Sequence, residues 1–256
     1  MATTTENPAK HLLESVSIVL PAHNEQDNIV EAVHQALAAA EPVSERQEVI
    51  VVDDGSADAT AALAGRLAAH DSRVRLVRHE HNRGYGSAVR SGIQAARMNW
   101  VLLTDADLQF DLTQLTEFAR HASEAPVVIG YRAKRNDPLL RRVNARGWNA
   151  LVHLLFGLSV RDVDAAFKLI RRSALDGLEL VATGAAIDAE LLAKATERGG
   201  SIVELPVKHL PRVAGEPSGA NLKVISRAFR EVFQIWWGMH APAMGTLPPA
   251  PHSPVA

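Results

Sequence analysis

Two aspartates one residue apart, Asp105 and Asp107, directly follow the apolar run Trp100–Thr104. Side chains two positions apart on an extended chain end project to the same side. Two carboxylates so placed suit a hard divalent cation, which takes oxygen ligands and keeps room for phosphate oxygens. Gln109 stands where it could add a third oxygen. Such acidic pairs also occur as solvated turns, and it is the position behind a buried strand that favours the metal reading. A second acidic group, Asp53-Asp54-Gly55-Ser56, ends the run Val49–Val52. A carboxylate there can accept from a nucleobase N–H or a ribose hydroxyl. The same residues read as a turn with Gly55 at positive φ and Ser56 or Asp58 capping the next helix. Both hold together if Asp53 faces ligand and Asp58 caps.

Gly84-Tyr85-Gly86 is not a dinucleotide fingerprint, because Val89 stands where a third glycine is needed and the run does not follow the first strand. It reads either as a close approach of backbone to ligand, with Asn82 and Arg83 beside it, or as a tight turn opening a helix. His79-Glu80-His81 has no accompanying ligand pattern and reads as a surface strand end. If a hydroxyl must be deprotonated, Asp162, Asp164, Asp188 and Glu190 are the candidate bases. Asp188 and Glu190 open a helical stretch, where capping explains them almost as well.

These residues need elements to hold them. Val16–Leu20 is an apolar run of strand length stopping at Pro21, and residues 27–40 follow with Ile29, Val33, Ala36, Leu37 and Ala40 on one helical face. Val49–Val52, a helix over 58–69, a strand Val74–Val77, a helix over 85–97 and the strand Trp100–Thr104 continue the alternation. Near-continuous apolar strands separated by helices predict a mostly parallel α/β sheet covered on both faces. Ligands then bind at the carboxyl ends of the strands, where the acidic motifs lie. A fifth strand, Val127–Gly130, precedes a basic run with Arg132, Lys134, Arg135, Arg141, Arg142 and Arg146, followed by an apolar stretch over 148–158. Ile202–Val207 reads as a further strand and 221–237 as an amphipathic helix. The expected organisation is a flexible N-terminus over 1–14, a catalytic domain over 15–218, a C-terminal helical appendage over 219–240 and a disordered tail over 241–256.

The 256 residues carry no cysteine and a net charge of −2, with 47% hydrophobic residues. Thiolate catalysis, a disulfide framework and cysteine-ligated zinc are excluded, which suits a reducing cytoplasm. Near-neutral charge argues against bulk nucleic-acid binding. The first ten residues lack the pattern of a signal peptide. No apolar run approaches the roughly 18–20 residues of a membrane-spanning helix, so a soluble or peripheral protein is expected.

Taken in order, Pro21-Ala22-His23-Asn24-Glu25, Val52–Ser56, Asn82–Gly86 and Thr104–Gln109 resemble the motifs of family 2 glycosyltransferases. Gly130-Tyr131-Arg132, Asp162–Lys168, Glu204–Val207 and Arg212–Ser218 narrow the likeness to the polyprenyl-phosphate sugar transferases of the dolichyl-phosphate mannose synthase type. Tyr131 replaces a usual Ser, and no Gly precedes Phe167. The resemblance implies a GT-A nucleotide-binding fold and an inverting transfer of a hexose from a nucleotide sugar, of GDP-mannose or UDP-glucose type, to polyprenyl phosphate. It implies Mg²⁺ or Mn²⁺ on Asp105, Asp107 and Gln109, and a donor pocket of Pro21, Ala22, Glu25, Asp53, Asp54, Asn82, Arg83, Gly84 and Asp105. Catalytic roles fall to Asp107, Asp162, Arg132 and Arg212, and acceptor-phosphate contacts to Arg132, Arg141 and Arg142, since guanidinium forks suit phosphate. The place implied is the cytoplasmic face of the membrane, with peripheral attachment. Two other readings stand beside it: a family 2 enzyme acting on a glycan hydroxyl, and an inactive nucleotide-sugar-binding scaffold. A sugar nucleotidyltransferase is excluded, because Pro21–Glu25 is not a Gly-rich phosphate loop.

Overall fold

The computed structural model describes residues 11–133, 139–197, 199–211 and 222–240, of which 139–146 and 222–226 by backbone alone. Strands β1 (Leu13–Ala22), β2 (Ser44–Asp53), β3 (Val74–Arg78), β4 (Trp100–Thr104), β5 (Val127–Arg132), β6 (Phe167–Arg171) and β7 (Ile202–Val207) form one sheet in the order β3-β2-β1-β4-β6-β5-β7. All neighbours are parallel except β6, which runs antiparallel to both β4 and β5. The helices are α1 (Ile29–Ala40), α2 (Thr60–His70), α3 (Tyr85–Ala95), α4 (Leu115–Arg120), α5 (Leu139–Phe156), α6 (Arg172–Leu175), α7 (Ile187–Glu197) and α8 (Leu222–His240).

Alternate residues of each strand feed two cores, as period-2 geometry requires. Ile18, Leu20, Val49, Val51 and Leu102 pack with α1, α2 and α4 on one face. Val19, Ile50, Val52, Val101 and Leu103 pack with α3, α5, α7 and α8 on the other. The reversed strand β6 matters for the site. Phe167 pairs with Thr104, so the segment entering β6 sits at the same sheet end as the segment leaving β4.

Several boundaries differ from the sequence reading. The first strand begins at Leu13, which is buried and donates to Val43 O, so residues 13–14 belong to the sheet and not to a flexible N-terminus. It also runs through Pro21 to Ala22. The ladder to β4 ends at Val19, leaving one side of the strand free where a residue without an N–H is tolerated. Arg141, Arg142 and Arg146 of the basic run and the apolar stretch as far as Phe156 share the single helix α5, while Arg132 ends β5. His79 is not a surface residue: Nδ1 donates to Asp54 Oδ1 at 2.6 Å and Nε2 lies 2.9 Å from Ser91 Oγ. Residues 1–10 and 241–256, with the calls made on them, lie outside the described residues.

Candidate active site

The loops leaving β1 and β2 are interlocked. Asn24, at φ 56°, donates its N–H to Ser56 Oγ and accepts from Ala57 N through Oδ1. Glu25 N donates to Thr60 Oγ1, and Gln26 N to Asp58 Oδ2, whose Oδ1 accepts from Thr60 N at the start of α2. This fixes Pro21 and Ala22 beside Asp53. The Glu25 carboxylate accepts from Asn28 Nδ2 at 2.7 Å. Asp53 is fully buried; Oδ1 accepts from Ser56 N, while Oδ2 makes no hydrogen bond and has Arg78 Nε at 3.5 Å. An unsatisfied buried carboxylate oxygen is costly, and Oδ2 keeps unused acceptor capacity.

Asp54 does something different. Oδ1 accepts from Arg83 N (2.9 Å) as well as His79, and Oδ2 from Gly84 N (2.8 Å). It shapes the 82–86 segment from within and does not face a ligand as the sequence reading had it. Asn82 and Arg83 are exposed on that segment. Gly84 (φ 97°) and Gly86 meet protein backbone: a Cβ would stand 2.3 Å from Thr183 O at the first and 2.7 Å from Gly184 O at the second. The tight turn opening α3 is observed.

Between them, Tyr85 turns its hydroxyl to Asp105. Asp105 is pushed up to about 7 by burial and by the charges of Asp107 and Asp188, partly offset by Lys168 and that hydroxyl. Burial and the carboxylates of Asp105, Asp188 and Asp164 hold the Tyr85 phenol well above its ordinary range. Leu108, between Asp107 and Gln109, adopts φ 60°, a left-handed turn that a branched side chain rarely takes. Gln109 N donates to Asp107 Oδ1 at 3.1 Å, and Gln109 Nε2 donates to Leu210 O, leaving the amide oxygen for another partner's donor or an ion. Leu210 N donates back to Gln109 O, so the chain after β7 is pinned to the segment after β4, with His209 against Phe110. Arg212 lies two residues further, outside the described residues.

The segment before β6 closes the group. Asp162, buried, accepts a two-pronged contact from Arg132: Nε to Oδ2 at 2.7 Å and a terminal nitrogen to Oδ1 at 2.8 Å. Asp164 Oδ1 accepts from Trp148 Nε1 of α5 at 2.8 Å. Lys168, fully buried, donates to Asp188 Oδ1 and Ala165 O, both at 2.7 Å. Burial raises Asp188, with Lys168 pulling the other way. Glu190 is turned elsewhere and accepts from Val181 N, Ala182 N and Lys194, so it is structural and not a candidate base. Arg141 and Arg142 are placed on α5 by backbone alone.

Asp105, Asp107, Asp162, Asp164 and Asp188 outnumber the cations Lys168 and Arg132 in this group. An all-oxygen donor pair with excess negative charge fits Mg²⁺ or Mn²⁺. Among the described residues no three His, Cys, Asp or Glu gather as a group that could hold a metal ion.

Asp164 gives a pH test away from the metal pair. Burial and Asp188 raise it to about 6 from 3.8. The folded state therefore binds this proton more tightly than the unfolded chain, and the charge costs stability most above pH 6. Asp164→Asn keeps an oxygen for Trp148 and should raise Tm by a few degrees at pH 7.5. The gain should shrink as pH falls from about 6 towards 4 and disappear below; an equal gain at pH 4 and 7.5 would contradict the assignment.

Residues 17–178 match the model of glycosyl transferase family 2. The chain belongs to that family. The undecaprenyl-phosphate 4-deoxy-4-formamido-L-arabinose transferase of Edwardsiella ictaluri is 31% identical over 217 residues, covering 84% of this chain and 66% of its own length. Glycosyltransferase AglD of Haloferax volcanii is 30% identical over 232 residues, covering 87% of this chain and 37% of its own. The chain thus spans about two thirds or less of these relatives. Glucosyl-3-phosphoglycerate synthase from Mycobacterium tuberculosis, solved with Mn²⁺, uridine diphosphate and glucosyl-3-phosphoglycerate, has a TM-score of 0.68 at 21% identity over 92% of this chain and 86% of that one. The family 2 chain therefore has the GT-A fold, as the order of motifs implied. Sequence reasoning missed Lys168 as an internal cation and Tyr85 as the partner of Asp105; the tyrosine's position between two glycines at a helix start was the available signal.

Proposed function

We propose that the protein transfers a hexose, with inversion, from a nucleotide diphosphate sugar to a polyprenyl phosphate at a membrane surface. Support for the acceptor comes from α5, which follows Arg132 closely and carries Arg141, Arg142 and Arg146 and then an apolar half with Val152 buried and Leu154 exposed. One helix thus combines residues suited to phosphate with residues suited to a hydrocarbon chain. The names of the undecaprenyl-phosphate relatives support the same reading. Asp53 receives the base or ribose, and Asp105, Asp107 and Gln109 hold Mg²⁺ or Mn²⁺. When bound, the ion offsets the charge growing on the nucleoside diphosphate as the sugar–phosphate bond breaks. Mn²⁺ and UDP-glucose are named with the mycobacterial synthase, which favours an ion of this class.

A phosphate monoester has its second pKa near ~6 and arrives already ionised. The protein's part is then to orient and neutralise. Arg132, aligned by Asp162, with Arg141, Arg142 and Arg212, offsets the repulsion between two phosphate-bearing substrates. Binding of donor is checked by melting: GDP-mannose or UDP-glucose at ~100 times Kd with Mn²⁺ should raise Tm by about 5–10 °C. No shift with any nucleotide sugar would favour an inactive scaffold.

Attachment to the membrane rests on α8. Val232 and Ile235 are buried on its inner side, while Phe229, Phe233 and Trp237 form an exposed aromatic stripe four residues apart. Phe229 meets Trp148 of α5 edge-on at 5.7 Å, so the stripe adjoins the acceptor helix. No described helix is long and apolar enough to cross a membrane. An exposed aromatic face beside a basic segment suits an anionic lipid interface. The folded protein should float with anionic liposomes at low salt, and Phe233→Ser with Trp237→Ser should release most of it; wild type left in the pellet fraction would remove the membrane reading.

A further inference from the structure

We infer that Glu231, on the C-terminal helix α8, is a positioning residue of the donor site: it holds the 181–184 loop against the Gly84–Gly86 turn and thereby sets Tyr85 and Asp188 at Asp105. The inference rests on reading 82–86 as part of the donor site. Glu231 lies more than fifty residues beyond the segment matched by the family model, which ends at 178.

The loop is held by two carboxylates. Glu190, fully buried, accepts from Val181 N at 2.9 Å and Ala182 N at 2.8 Å, and Lys194 Nζ neutralises it at 2.6 Å. Glu231 takes the next two N–H groups, Thr183 at 3.3 Å and Gly184 at 3.1 Å, and accepts from Thr183 Oγ1 at 2.8 Å. Arg227, one turn earlier on α8, donates to Glu231 at 3.1 Å and also to Thr183 Oγ1. Four consecutive backbone N–H groups therefore end on two side chains, one from α7 and one from α8. Hydrogen bonds to ionised acceptors are the stronger kind, and the Glu231 side chain is only 12% exposed.

The carbonyls of the same loop face the other way. Thr183 O accepts from Gly86 N at 3.0 Å. The backbone contacts at Gly84 and Gly86 are too close for any added Cβ, and the Gly86 N–H bond ties the turn to the loop. Tyr85 sits between those glycines and faces Asp105, while four residues past Gly184 the chain delivers Asp188, whose charge also acts on Asp105. Apolar burial of Ala228, Val232 and Ile235 already anchors α8. Glu231 adds to that anchoring a specific hold on one loop, which is the property of a positioning residue.

The test uses the full chain with Glu231→Ala and Glu231→Gln, read by amide hydrogen exchange without ligand and by steady-state kinetics with GDP-mannose and UDP-glucose. Loss of the charged acceptor should speed exchange at Gly86, Thr183 and Gly184 by about 10- to 100-fold, with β1, β2 and β4 unchanged. Donor KM should rise by a similar factor with a smaller change in kcat, and Glu231→Gln, whose single amide oxygen can serve Thr183 but leaves the Gly184 N–H facing an NH2, should recover the Thr183 part alone. Loop exchange equal to wild type, or a uniform rise across the sheet with donor KM unmoved, would overturn the inference. If wild type turns over neither donor, the donor reading fails by itself, while the exchange pattern still decides whether Glu231 holds the loop.

Discussion

Asp105→Asn and Asp107→Asn should each remove most glycosyl transfer while leaving the fold intact, and excess EDTA should do the same to wild type. The loss should exceed the roughly 10- to 100-fold typical of removing a partner that merely orients a metal ligand, because the carboxylates themselves are the proposed ligands. Folding should survive, since Asp105 is half-buried beside Asp107 and Asp188 and removal of one like charge relieves repulsion. Circular dichroism and Tm report the fold, and turnover with Mn²⁺ titrated in reports the site. Partial rescue of either variant by higher Mn²⁺ is expected. Full turnover of wild type in excess EDTA would sink the metal assignment.

The second large effect separates a phosphate acceptor from a hydroxyl acceptor. With an ionised lipid phosphate as nucleophile, no proton must be removed, and Arg132→Ala, Arg141→Ala or Arg212→Ala should each weaken acceptor use strongly. Each leaves phosphate charge uncompensated in a partly desolvated site. Asp188→Asn should cost comparatively little in the chemical step, because its carboxylate is already bonded to Lys168. A hydroxyl acceptor reverses the order: one carboxylate becomes indispensable, with a loss of roughly 100-fold or more. Asp162 aligns Arg132 through two short contacts. Asp162→Asn should therefore follow the arginine series in acceptor KM. Glu190→Gln should act through the 181–184 loop and not on the acceptor, as that side chain binds loop N–H groups. A dominant Asp188 effect with near-normal arginine variants would end the polyprenyl-phosphate reading.

The parallel half of the sheet was legible because β1, β2 and β4 are buried on both faces at Ile18–Leu20, Val49–Val52 and Trp100–Leu103, where their sequences are apolar without interruption. The strand β6 was not. Its run Phe167-Lys168-Leu169-Ile170 carries a charge in the middle, and the Asp188 that makes a buried lysine tolerable lies twenty residues away. α5 was split in two for a related reason: its basic and apolar halves differ in composition, and only the helix unites them. The acidic motifs were placed correctly at the strand ends, since a strand's direction fixes where its last residue points. The division of labour within Asp53-Asp54 was hidden, because it depends on the 79–84 segment donating to Asp54 and leaving one oxygen of Asp53 unsatisfied. The coupling of α8 to the donor turn was equally invisible, as Glu231 reads as an ordinary i,i+4 partner of Arg227.

The central claim is transfer to a lipid phosphate. Incubation with a panel of radiolabelled nucleotide sugars, Mn²⁺ and a short polyprenyl phosphate, followed by partition into organic solvent, tests it most directly. The account predicts label in the organic phase with at least one donor, lost with EDTA and lost on replacing the polyprenyl phosphate by the free polyprenol. Label that moves only to a water-soluble glycan, or equally well to polyprenol, would contradict it.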